Sequence, residues 1–315
     1  MWLLLLPLLT FLRFAPLDYP INPVPMRELW READLVLVVE VGEPEWIKQN
    51  ADSDEEDFEI SEARVRLKVK ETWKGKAPGE EVEVHFSAAL VCPAPPRFEP
   101  GKTQLVYLEK TEKEHFRVVA LSYGTVLLSK EAVKSYRKAI ADLTEVQKIE
   151  SKKDHHAAMF DWVFRLALDP HTRADGALEH NESRKIWNKY SGNDWPFKMA
   201  DLSAEKQGQL IQALEATPKL REQDLRLLVA FAKSEDPRLA ELWLRYVLDN
   251  DKHPLFTGMY FHRALERFGN EKALKAFGER WRQSGISRSY WSFEGEPDEM
   301  EAAVAEIVAI LREEG

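Results

Sequence analysis

The chain has 315 residues, with 44 Lys and Arg against 54 Asp and Glu, a formal net charge of −10. Neither half carries a basic excess, which sets aside a phosphate-backbone binder, and nucleic acid is not expected as a partner. Cys92 is the single cysteine, which excludes an intrachain disulfide framework and a cysteine-rich zinc site, while the length allows two domains of about 100–200 residues each.

Residues 2–12 form an apolar run containing Pro7 and ending at Arg13. A bilayer-spanning helix needs about twenty residues, so no integral membrane span is expected here. The length fits the apolar core of a signal peptide and implies export, to a periplasm or the outside. No Lys or Arg precedes the run, and the candidate cleavage position Ala15 is followed by Pro16. An N-terminal strand or a mis-called start is the competing reading. Pro16, Pro20, Pro23 and Pro25 then make a stiff lead-in, so residues 1–25 stand apart from the folded chain.

A short helix is expected from Met26 to Ala33, followed by a strand over residues 35–41. Residues 42–61 read as a long loop carrying Trp46 and the acidic positions Asp52, Asp54, Glu55, Glu56, Asp57 and Glu59. A calcium loop starting at Asp52 fails, because Asp57 stands where Gly is required and Ala63 where Glu is required. A solvated acidic loop is the plain reading, and a loop of this length is also a candidate contact surface. Trp46, Asp52, Asp54, Glu55, Glu56 and Asp57 are therefore the candidate partner-contact residues.

From residue 63 the pattern turns strictly alternating. Ala63, Val65, Leu67 and Val69 interleave with Arg64, Arg66, Lys68 and Lys70, the period of a strand with one buried face. Val82, Val84 and Phe86 repeat it. Residues 105–108 are continuously apolar, as in a strand buried on both sides. Phe116, Val118 and Ala120 close a set of five strands joined by turns. That set suits a small closed barrel of the five-stranded OB type, over residues 27–128.

After Ser129, an expected helix N-cap, the period switches to 3.6 and strands vanish. Val133, Tyr136, Ile140 and Leu143 mark one helix face. Phe160, Val163, Phe164 and Ala167 mark another, with Met159, Trp162 and Leu166 beside it. Asp169-Pro170 is expected to end that helix. Further helices are expected over residues 184–190, after Ser203 with Leu210, Ile211 and Leu214, and through Leu225, Leu228 and Val229. Asp236-Pro237 opens another with Leu239, Leu242, Trp243 and Tyr246. Two more follow, over residues 273–281 and around Val304 to Leu311. Residues 129–315 thus read as an all-α domain of irregular helical pairs of the HEAT type, and the whole chain as α+β and multidomain.

No constellation compels a chemistry. His155 and His156 diverge by about 100° on a helix and do not share the i, i+4 face that metal ligands need, so core or boundary packing is expected of them. His171, His180, His253 and His262 lack ligand spacing, and no phosphate-cradling glycine loop or nucleophile elbow occurs. Asp161 and Arg165 stand as an i, i+4 surface pair. Cys92 fits a buried inert thiol, with intermolecular pairing as the alternative on export. No catalytic residue, metal or cofactor is expected.

The run Ala33-Asp34-Leu35-Val36, then Glu71-Thr72-Trp73-Lys74-Gly75, then Cys92-Pro93 and Phe98-Glu99-Pro100-Gly101 before Leu105-Val106-Tyr107, resembles the netrin-like OB domains. These include the tissue inhibitors of metalloproteinases and their bacterial relatives. The resemblance covers about a third of the chain and implies the barrel and export. The animal inhibitors chelate the protease zinc through an N-terminal Cys, and no residue here takes that part. The functional expectation is a non-enzymatic protein-binding or scaffold protein with an unidentified protein partner. Protease inhibition through barrel loops and an enzyme with a cryptic site are the alternatives.

Overall fold

The alternation along residues 63–70 becomes the longest strand of a closed β-barrel. The computed structural model describes residues 24–48, 62–87, 94–111, 115–180, 197, 199–231, 234, 236 and 238–249. The chain divides into two compact units whose boundary falls between Leu127 and Leu128, with Pro25–Arg27 belonging to the second.

Helix α1 (Met26–Glu32) precedes the strands of the first unit, β1 (Leu35–Val41), β2 (Glu45–Lys48), β3 (Glu62–Lys74), β4 (Glu81–Ser87), β5 (Thr103–Lys110), β6 (Phe116–Val118) and β7 (Thr125–Leu127). The hydrogen-bonded order is β1-β3-β4-β6-β5, and β5 pairs back onto β1, which closes a five-stranded ring. All ring pairings are antiparallel except β4 with β6, which is parallel. Register shifts between Val36 and Leu37 and between Val38 and Val39 bend the β1–β3 pair, as closure of a small ring requires.

The alternation places Leu35, Leu37, Val39, Val65, Leu67, Val82, Val84, Val106 and Leu108 in one interior cluster. Leu67 has no exposed surface, so Leu67→Ala would cost about 2–5 kcal/mol from lost transfer energy and the cavity left behind. Val36, Val38, Leu105 and Tyr107, on the opposite face of β1 and β5, are buried as well. The continuous apolar run at 105–108 thus reports burial on both faces.

Three expectations for this unit need correction. Residues 42–61 are not loop throughout, because Glu45–Lys48 pairs with the start of β3. Ala120 does not extend the fifth ring strand: its φ of 54° is left-handed and opens a 3-10 turn over Leu121–Gly124. Thr125–Leu127 then forms the additional strand β7 on β5.

The second unit is helical among the described residues: α2 (Lys130–Val146), α3 (Lys152–Leu168), α4 (Arg173–His180), α5 (Ala204–Glu215), α6 (Glu222–Ala230) and α7 (Arg238–Asp249). Ser129 and Ser203 cap α2 and α5, their hydroxyls accepting from the N–H groups of Ala132 at 3.1 Å and Lys206 at 3.3 Å. Asp236 caps α7 through the Arg238 N–H at 3.0 Å. Phe164, Ala167, Leu210, Ile211, Leu214, Leu228, Leu239 and Leu242 share one core. Helix α4 lies in a stretch where no helix is expected from the sequence. The helices expected over residues 184–190, 273–281 and near the C-terminus lie outside the described residues, as does the apolar N-terminus.

Candidate functional site

Trp46 is the one sequence candidate within the described residues, and it is 58% exposed on β2. Asp52, Asp54, Glu55, Glu56 and Asp57 lie outside them, as does Cys92. The register nevertheless says where the acidic segment attaches. Lys48 is paired with Glu62, so β2 ends and β3 begins at directly opposed residues.

Trp46 is paired with Ala63, and Ala63 with Phe86 on β4. The Phe86 ring lies 5.2 Å from that of Phe98, and both pack against the end of the barrel core. Buried Ala63 thus stands in the register between exposed Trp46 on β2 and Phe86 on β4.

The next pairing on β2 skips from Trp46 to Lys48, while β3 advances by one residue. Ile47 is the extra residue of a β-bulge, and it is 44% exposed beside Trp46. Trp46, Ile47 and Leu127 are the exposed large apolar side chains among the described residues. Two of the three are neighbours on one strand. That strand pairs with β3 alone among the described residues, so it is an edge. Glu45 anchors it, its Oε2 accepting from Arg64 Nε at 3.0 Å and Nη2 at 2.8 Å. Ile47 escapes the sequence reading because a bulge leaves no periodic trace; its adjacency to Trp46 is the only signal.

The buried titratable groups are concentrated in the helical unit. Arg173 and Asp224 form an ion pair at 2.5 Å, with 2% and 1% of their side-chain surface exposed. Arg173 also donates to Thr217 Oγ1 at 3.0 Å and to the Ala167 carbonyl at 3.3 Å. Asp224 Oδ2 accepts from the Arg221 N–H at 2.8 Å, capping α6. Glu179, fully buried, takes two bonds from Arg27, each 3.3 Å. His180 Nδ1 lies 3.2 Å from the Phe197 carbonyl, and burial pushes the imidazole down to about 4 against that hydrogen bond and the Asp201 charge. Each of these groups has a structural task, holding helix ends or neighbouring helices. Among the described residues no group of three or more His, Cys, Asp or Glu could hold a metal ion, and no helix is long and apolar enough to cross a membrane.

The two adjacent histidines take boundary positions, while one expected surface pair is replaced by tertiary partners. His156 is exposed and stacks on Phe197, and His155 is half-buried. Asp161 pairs with Lys206 instead of Arg165, and Arg165 pairs with Asp142 at 3.4 Å. No family model, curated protein or solved structure matches this chain.

Proposed function

We propose that this protein is a non-enzymatic, exported binding or scaffold protein that takes a protein partner on the β2 edge of its barrel. The carrying observation is the adjacency of exposed Trp46 and Ile47 on an edge strand. A large rigid aromatic beside an aliphatic group is the composition of an interface anchor. An edge strand also offers backbone groups to an extended partner segment. The charge of −10 favours a protein over a nucleic acid as that partner.

In this reading the barrel is of the OB type. Support comes from the ring order β1-β3-β4-β6-β5 and its lone parallel pairing. Its netrin-like character rests on the Glu71 to Gly75 and Phe98 to Gly101 segments. The helical unit is read as irregular HEAT-type pairs, a second partner surface. Export rests on the apolar run at residues 2–12.

The test is a paired affinity purification from the source cells with wild type and a Trp46→Ala/Ile47→Asp variant, quantified by mass spectrometry. A protein retained by wild type and lost by a folded variant supports the reading. Identical retained sets overturn it. Export is tested separately, by fusing residues 1–30 to a reporter active only outside the cytoplasm; silence of the reporter contradicts export.

A further inference from the structure

The barrel ring is thinnest where β4 meets β6. Strand β4 is seven residues long, yet it joins β6 through the single pair Val84↔Phe116. Strand β6 has only three residues and is held from its other side by β5. His85 follows Val84 on β4, and His115 immediately precedes β6. Their rings stack with centroids 4.2 Å apart and planes 8° from parallel. Two imidazoles therefore bridge the seam beside its one ladder pair.

The surrounding charges decide what protons do there. Glu83 on β4 meets His85 Nε2 at 2.8 Å. The same carboxylate already faces Arg64 Nη1 at 3.5 Å and Arg66 Nε at 3.9 Å from β3. Arg64 is also directly opposite His85 in the β3–β4 register. On the other side of the seam, Glu109 of β5 is engaged by Arg117 of β6 at 2.9 Å, and Lys110 is opposite Phe116. Glu112, Lys113 and Glu114 lie outside the described residues. Among the described residues, one carboxylate is shared by two guanidiniums and an imidazole, and none is left for a second imidazolium stacked on the first. Histidine changes charge within the range of about pH 5 to 8. Two stacked cations repel, and even when partly solvated that repulsion is of the size that shifts an opening equilibrium about tenfold.

We propose that the β4–β6 seam is an acid-sensitive latch: protonation of both His85 and His115 separates β4 from β6 while β1 and β3 stay paired. The latch works through the geometry of the stack and does not depend on which partner the barrel binds.

Hydrogen exchange on the full chain tests it, at about pH 7.5 and about pH 5.5, with rates corrected for the intrinsic pH dependence of amide exchange. The amides of Glu81–Ser87 and Phe116–Val118 are compared with those of Leu35–Val41 as an internal reference. At the lower pH the seam amides of wild type are expected to exchange at least about tenfold faster, with β1 unchanged. His115→Phe and His85→Phe each keep a flat ring without a proton, and neither variant should show the acceleration. Seam protection that is the same at both pH values in wild type overturns the proposal, and this arm needs no variant to fold. Acceleration shared by β1, or retained in the Phe variants, overturns it as well.

Discussion

Lys74 Nζ donates to the Ala33 carbonyl at 2.6 Å, and to the Trp30 carbonyl at the same distance. An ammonium on β3 thereby closes the C-terminal end of α1, where helix carbonyls lack partners and the dipole favours a cation. It also lies 5.3 Å from the centre of the Trp30 ring. Burial lowers the pKa of this ammonium below the ordinary lysine value, and the charges of Asp34 and Glu32 oppose that shift. Within the same segment, Trp73 Nε1 donates to Glu71 at 2.9 Å. The Glu71 to Gly75 stretch, the most distinctive part of the family resemblance, therefore has a structural task that any barrel with this leading helix could share. Lys74→Met, which keeps the stem and removes the donors, should lower stability by about 1–2 kcal/mol in chemical denaturation. An unchanged midpoint would remove the capping role.

Gly75 and Gly101 both have positive φ, at 76° and 72°, yet they should respond differently. A Cβ on Gly75 would sit 2.3 Å from the Asp34 carbonyl oxygen and 2.6 Å from Leu35 Cδ2, whereas nothing lies within 4 Å at Gly101. Gly101→Ala should cost about 1 kcal/mol of backbone strain alone. Gly75→Ala should cost about 2 kcal/mol or more, because strand β1 must also shift. Equal losses in urea unfolding would contradict the crowding argument.

The Arg173–Asp224 pair joins α4 to α6 and holds the carbonyl end of α3. Removing one partner leaves a buried charge without compensation, so Arg173→Met or Asp224→Asn should each cost about 3–5 kcal/mol. The double change Arg173→Met/Asp224→Leu should cost clearly less than the two single losses combined. Additive losses, followed by far-ultraviolet circular dichroism, would show that the pair is not coupled.

Much of this architecture is legible in the sequence, and the parts that are not have identifiable causes. The ring strands announce themselves through alternation, as in Val65, Leu67, Val82 and Val84. Strands β2 and β7, of four and three residues, are too short to carry a period. Helix α4 hides because it buries Arg173, Glu179 and His180, whose partners lie far along the chain. Its packing on α3 depends on Gly176, where a Cβ would meet the Ala167 nitrogen at 2.3 Å. At the candidate site Trp46 stands out by type, while Ile47 is exposed only through the bulge. Local pairing rules failed for Asp161 and Arg165 because Lys206 and Asp142 lie nearer.

His180 makes stability depend on pH. Its pKa falls from 6.5 to about 4 on folding. As pH drops, the unfolded chain takes up this proton first. The stabilisation is fully present above 6.5 and is lost as pH falls to about 4. The linked loss is about 3 kcal/mol across that window. Unfolding free energy should therefore fall less steeply over this range in His180→Gln than in wild type. Parallel profiles would assign the acid sensitivity to other groups.

The claim that the β2 edge is a partner surface is tested most directly by placing a photo-crosslinking residue at position 46. A matched probe goes at Lys134, an exposed position on α2. Illumination in source-cell extract should give a discrete covalent adduct to one protein from position 46 and none of that species from position 134. The same adducts from both positions, or no adduct from position 46 while the chain is folded, would contradict it.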